Sequence, residues 1–144
     1  MNNKRLPIAA YYTLSFTWGV VMTLVGLLMS FALLVAGKKP ERNQYGIVFK
    51  AGKSWGGFSA GPFAVVCEDT SQHTLNHEFG HSIQNCYYGP LMIFVTIASV
   101  YRYHYFQWNR KHRPNKKLPE YDDIWFEGEA SEIGNFYKQE EKDS

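Results

Sequence analysis

The hydrophobic pattern of this chain changes period twice. From Ala9 to Ala36 it has no period, AAYYTLSFTWGVVMTLVGLLMSFALLVA, and no charged residue. About 28 residues exceed the roughly 20 that carry a helix across the hydrocarbon core of a bilayer. Tyr11, Tyr12 and Trp18 cluster toward one end, where a membrane interface favours aromatic rings. A helix apolar on every side is hard to surround in a small domain. The stretch is also longer than the apolar region of a secretory signal. It predicts a transmembrane anchor over 9–36, after an N-terminal tail over 1–8.

Beyond the anchor, short β-prone runs appear. YGIVFKA at 45–51 and FSAGPFAVV at 58–66 are separated by the turn signal GKSWGG. Gly61-Pro62 interrupts the second run, and a proline there predicts an edge or bulged strand. The period then lengthens to that of helices. Glu68-Asp69-Thr70-Ser71 offers capping side chains for a helix beginning near Ser71. At about 100° per residue, His73, His77, His81, Gln84 and Tyr88 fall on one stripe. Leu75, Phe79, Ser82, Ile83 and Cys86 fall on the opposite one. A second helix is predicted over Asp122–Tyr137, with Phe126, Ala130, Ile133 and Tyr137 as its apolar stripe.

Between these helices, LMIFVTIASVY at 91–101 is apolar but, at about 11 residues, too short to span comfortably. The aromatic YRYHYFQW and the basic NRKHRPNKK follow it. This pattern predicts an apolar interfacial or re-entrant segment over 90–108, with the cations touching lipid headgroups. The fold class expected is α+β, an N-terminal transmembrane helix followed by one small domain over 37–144.

Composition narrows the partners. The 144 residues suit one domain, and 45% hydrophobic with 17% aromatic content argues against disorder. A formal charge of +2 gives no pull toward nucleic acid, which is not expected as a partner. Cys67 and Cys86 stand in no CxxC arrangement and read as small buried residues, with one bridge between them left open. Lys4 and Arg5 precede the anchor, whereas Lys38, Lys39, Arg42, Lys50 and Lys53 follow it. That bias favours the C-terminal domain in the cytoplasm.

The chemistry concentrates at 77–81, where His77-Glu78-Phe79-Gly80-His81 has the form H-E-x-x-H. Two histidines one turn apart can aim ring nitrogens at one ion, since Zn–N bonds are about 2.0–2.1 Å. Glu78 is offset by about 100° on the wheel. It would sit beside the ion, as a base that takes a proton from metal-activated water does. Gly80 costs about 1 kcal/mol in a helix interior, which makes sense if another backbone passes close by. A third ligand is needed, and Glu127 and Glu129 flank the apolar stripe of the second helix; periodicity does not choose between them.

The pairing of H-E-F-G-H with E-G-E-A-S at 127–131 resembles the gluzincin metallopeptidases. It is most similar to the membrane-associated prenyl-protein protease group, whose second helix carries E-x-x-A-D. The wider run of GGFSAGPF, HEFGHSIQ, GP and W-x-E is similar to short membrane-anchored bacterial H-E-x-G-H proteins. The resemblance covers roughly residues 56–137. It implies a minimal zincin-like domain, one zinc ion on His77, His81 and Glu127, and Glu78 as general base for peptide hydrolysis. Ser131 stands where the pattern has aspartate.

On this reading an extended peptide or protein substrate lies along the 57–66 strand. Gly57, Phe58, Ser59, Ala60 and Gly61, with His73 and Tyr88, are the candidate substrate contacts. Tyr88, His73 and His112 are the candidate oxyanion donors. The rival expectation is a catalytically silent membrane protein, using the same fold for binding or assembly and a structural ion.

Overall fold

The β-prone runs form one small sheet, and the two predicted helices cross beside it. The structure, a computed structural model, describes residues 5–43 and 45–143. Chain order is α1 (Ile8–Phe16), α2 (Val20–Val35), β1 (Pro40–Asn43), β2 (Gly46–Lys50), β3 (Gly57–Ala60) and β4 (Phe63–Val66), then α3 (Gln72–Tyr88), α4 (Met92–His112) and α5 (Trp125–Asp143). Single 3-10 turns lie at Gly89–Leu91 and Tyr121–Asp123. The architecture is α+β.

Sheet order is β1-β2-β4-β3. β2 and β4 run parallel, with Ile47 opposite Phe63, and both outer strands pair antiparallel. The expectation of one interrupted strand over 58–66 is corrected. Gly61-Pro62 is the turn of a hairpin, with Gly61 at φ 59, a left-handed conformation that glycine adopts without strain. β4 is therefore an inner strand, buried at all four positions, while β3 is the edge. β1 has no counterpart in the sequence reading: its Pro-Glu-Arg-Asn is exposed throughout, and it joins the sheet through its backbone and one surface ion pair, Glu41 with Lys50 of β2 at 3.0 Å.

Ser71 caps α3 as its position predicts, its Oγ accepting from the Thr74 amide at 3.1 Å. The stripe expected on α5 is the buried one: Phe126, Ala130, Ile133 and Tyr137 are all 6% exposed or less. α3 and α5 cross at contact distance because glycines stand at the crossing. A side chain on Gly80 would run into the Ala130 carbonyl, and one on Gly134 into that of Asn76. The close backbone that Gly80 calls for is α5.

The continuous helix expected over 9–36 is corrected. The segment breaks at Thr17–Gly19 into α1 and α2, bent by 89°. The Thr17 hydroxyl donates back to the Thr13 carbonyl at 2.6 Å, and Thr23 donates across the bend to the Ser15 carbonyl at 2.6 Å. Trp18 and Gly19 dock on the C-terminal half of α3, where Asn85 donates to the Gly19 carbonyl at 3.3 Å. α1 thus belongs to the domain: Tyr11 is fully buried in a core with Tyr45, Ile83, Cys86, Ile133 and Tyr137. α2, at 16 residues, is about 24 Å long.

The 90–108 segment is mostly α4, a helix of 21 residues. The run from Gln72 through His112 is long and apolar enough, by length and composition, to cross a membrane. One face of α4 exposes Phe94, Ile97 and Tyr101, while another lines the cleft described below. Cys67 and Cys86 are both buried and free, so the bridge left open by the sequence does not form.

Candidate metal centre

Helix α3 places His77 and His81 one turn apart, and the α3–α5 crossing sets Glu127 against both. Glu127 Oε2 lies 2.9 Å from His77 Nε2 and 3.2 Å from His81 Nε2, and the two Nε2 atoms are 3.1 Å apart. All three residues are buried, Glu127 completely. Together they form a group that could hold a metal ion.

The outer hydrogen bonds decide which atoms are free to bind. Gln84 donates its amide to the Phe126 carbonyl at 2.9 Å and to Glu129 at 2.8 Å. Its Oε1 is thereby turned to His81 Nδ1, 2.8 Å away, and accepts its proton. Ser131 donates to Asp122 Oδ2 at 2.8 Å and lies 2.8 Å from His77 Nδ1, where its oxygen accepts. Both imidazoles thus spend their proton on Nδ1, and both Nε2 lone pairs face inward. Two lone pairs and a carboxylate oxygen then converge with no donor among them. Such a cluster is repulsive until a proton or a metal ion joins it. Ligands about 2.05 Å from a tetrahedral centre stand about 3.3 Å apart. The observed 2.9–3.2 Å is that spacing slightly contracted, so the residues fit a small divalent cation.

Burial alone would raise the Glu127 carboxyl, but in the metal-free site a proton supplied by His77 or His81, in the place a metal ion would take, holds it far below the ordinary carboxylate range. Glu78, 6% exposed, is pushed up by burial, with His81 and His77 pulling the other way. Gly57 on β3 makes room for it: a Cβ there would stand 2.7 Å from Glu78 Cγ and Oε1.

The site opens into a cleft of about 800 Å3 between β3, α3 and α4, a size typical of ligand pockets. Among the expected substrate contacts, Gly57, Phe58, Ser59 and His73 line it. Ser59 also carries a buried hydroxyl with no hydrogen-bond partner among the described residues. The others are corrected. Ala60 is packed in a core cluster with Met22 and Met92, and Gly61 turns against Thr23 of α2. Tyr88 is committed to Glu129, donating at 2.5 Å. His112 stacks on Trp108 at the exposed end of α4.

Sequence reasoning missed Asp122 and Tyr121, both on the 3-10 turn before α5. The Tyr121 hydroxyl lies 3.5 Å from Glu127 Oε1, a long contact, and burial first, then the Glu127 charge, push its pKa up to about 12. Tyr121 therefore keeps its proton at neutral pH. An acidic run reads as a solvated face, so no periodic signal separated Asp122 from its neighbours. Comparison with protein-family models, curated proteins and solved structures gives no match.

Proposed function

We propose that this chain is a membrane-anchored, zinc-dependent metallopeptidase of the gluzincin type, with one ion held by His77, His81 and Glu127. The observation that carries the reading is the inward-facing acceptor triad, whose Nδ1 protons are already committed elsewhere. Two imidazoles and one carboxylate are a donor set suited to zinc with an open position. Zinc bound there supplies Lewis acidity that brings the pKa of water toward neutrality.

The chain's own residues supply the rest. Glu78 stands beside the triad rather than in it, buried and unblocked on the Gly57 side, where a base takes a proton from water and passes it to the leaving amine. β3 is a sheet edge on the cleft, so an extended peptide pairs with its outward N–H and C=O groups. His73 and Tyr121 line the same cleft and carry donors for the carbonyl oxygen. The exposed apolar faces of α2 and α4 sit in a bilayer, and the positively charged flank after α2 favours the cytoplasmic side.

The test separates catalysis from a silent, metal-holding binding protein. Glu78→Gln should keep one zinc per chain and lose about 10²- to 10⁴-fold in hydrolysis of a peptide library. Hydrolysis undiminished in that variant removes Glu78 as base. A wild-type protein that holds zinc yet cleaves no peptide supports the binding or assembly protein instead.

A further inference from the structure

We propose that Asp122 is a positioning residue, acting through Ser131 to fix the tautomer of His77; the proposal rests on the metal reading above. The two ligand histidines are held differently. His81 faces Gln84 Oε1, an amide oxygen that only accepts, so its proton is bound to stay on Nδ1. His77 faces a serine hydroxyl, which donates or accepts with equal ease. Alone, Ser131 leaves the question open.

Asp122 closes it. Its carboxylate only accepts, and at 2.8 Å it takes the single Ser131 proton. The serine oxygen is then left to accept from His77 Nδ1, and Nε2 faces the site as a bare lone pair. Without that carboxylate, Ser131 can turn its proton to Nδ1. The imidazole proton then moves to Nε2 and bonds Glu127 Oε2, already 2.9 Å away. His77 and Glu127 would satisfy each other, and the site would close on an internal hydrogen bond. Asp122 therefore decides between an open ligand set and a self-paired one.

The turn that carries Asp122 is built to hold it. Glu120 and Asp123 cap it reciprocally, and Arg102 of α4 donates to the Tyr121 and Glu120 carbonyls at 3.1 and 2.9 Å. The Arg102 guanidinium also lies over the Phe106 and Tyr121 rings. Asp122 is thus fixed before any ion arrives, as a positioning group must be.

Zinc affinity of the full chain in detergent, by competition with a chromogenic chelator, gives the first reading. Asp122→Ala and Ser131→Ala should each lose about 10- to 100-fold, the range for groups behind a ligand. The double variant should lose no more than the worse single one, because both changes cut one chain of hydrogen bonds. Ser131→Ala, a helix-favouring change, keeps the question open should the Asp122 variant not fold. Wild-type affinity in either single variant, or losses that multiply, overturns the proposal. The second reading needs no metal. Nitrogen NMR of the metal-free protein at about pH 8.5, two units above ordinary imidazole, should show His77 protonated on Nδ1 in the wild type and on Nε2 in Asp122→Ala. A wild type that binds no zinc but shows Nδ1 protonation removes the metal reading and leaves the relay standing. Nε2 protonation in the wild type removes the relay.

Discussion

Two helix pairs in this molecule break the usual inside–outside rule in opposite directions. α3 and α5 bury what is normally exposed: Glu127 and Gln84 are fully inside, with His77 and His81. α2 and α4 expose what is normally buried, with Leu28 at 73%, Phe31 at 68%, Phe94 at 67% and Tyr101 at 72%. The inner pair shows what a site needs. Every outer polar atom of its histidines is partnered, and the atoms left over converge on one point. The outer pair shows what the fold leaves uncovered. Its apolar surface has no cover among the described residues, and monomers in water seldom present such a face. One pair could hold a metal ion, and the other leaves apolar surface exposed.

Exchanging the acids of the inner pair produces the largest effect. Glu127→Gln replaces an anionic donor by a neutral one and should cost at least about 100-fold in zinc affinity, roughly 2.7 kcal/mol. Glu129 does not touch the triad; it holds Gln84 and Tyr88 in place. Glu129→Gln should therefore cost less, about 10-fold, by loosening the amide that orients His81. Zinc content of the two purified variants, measured side by side, ranks them. A reversed order would move the ligand to Glu129 and break the account of the inner pair.

Much of that pair was legible in sequence, and the reasons are physical. Residues one turn apart share a helix face, so His77 and His81 meet wherever α3 lies, and the apolar stripe of α5 predicts which face is buried. Glu127 was legible only by likeness to a motif, since both glutamates flank the stripe and packing alone separates them. Asp122 was not legible at all, because it reaches Ser131 from a turn whose path depends on Arg102. The apolar pattern of 9–36 did not show the bend between α1 and α2 for a related reason. Hydropathy cannot tell a residue facing lipid from one facing a protein core, and Tyr11, Ser15 and Thr23 are fully buried. The hydroxyls of Thr17 and Thr23 were the available signal of a bend, since such groups compete for backbone carbonyls. β1 left no pattern because none of its side chains is buried.

An intermediate effect tests how the inner pair is spaced. Gly80→Ala should raise intrinsic helix propensity by about 1 kcal/mol. The new methyl group meets the Ala130 carbonyl, however, and overpacking of this kind costs about 1–3 kcal/mol. Since the clash is with backbone, which yields less than a side chain, a fall in thermal midpoint of several degrees is expected. Zinc affinity should fall with it, because α5 carries Glu127. A midpoint above that of the wild type would mean that the helices are not in contact at Gly80.

The smallest effect belongs to the outer pair, and its smallness is the point. Leu28 and Phe31 lie on α2 with most of their surface uncovered, whereas Met22, on the opposite face of the same helix, is 2% exposed. A side chain that packs against nothing in the protein contributes little to the fold, so Leu28→Ser and Phe31→Ser should each change unfolding free energy in detergent by no more than about 0.5 kcal/mol. Met22→Ala, which opens a cavity, should cost about 2–5 kcal/mol under the same conditions. Zinc affinity should be unchanged by either serine, since α2 supplies no ligand. What the serines should weaken is partition into lipid vesicles, by about 1.5–3 kcal/mol for each large apolar side chain that no longer enters the bilayer. Unchanged partition, with the fold intact, would mean that lipid does not cover this face. A large loss of stability in detergent would show instead that Leu28 and Phe31 are held by a protein contact, and the contrast between the two pairs would then be one of partners rather than of solvent.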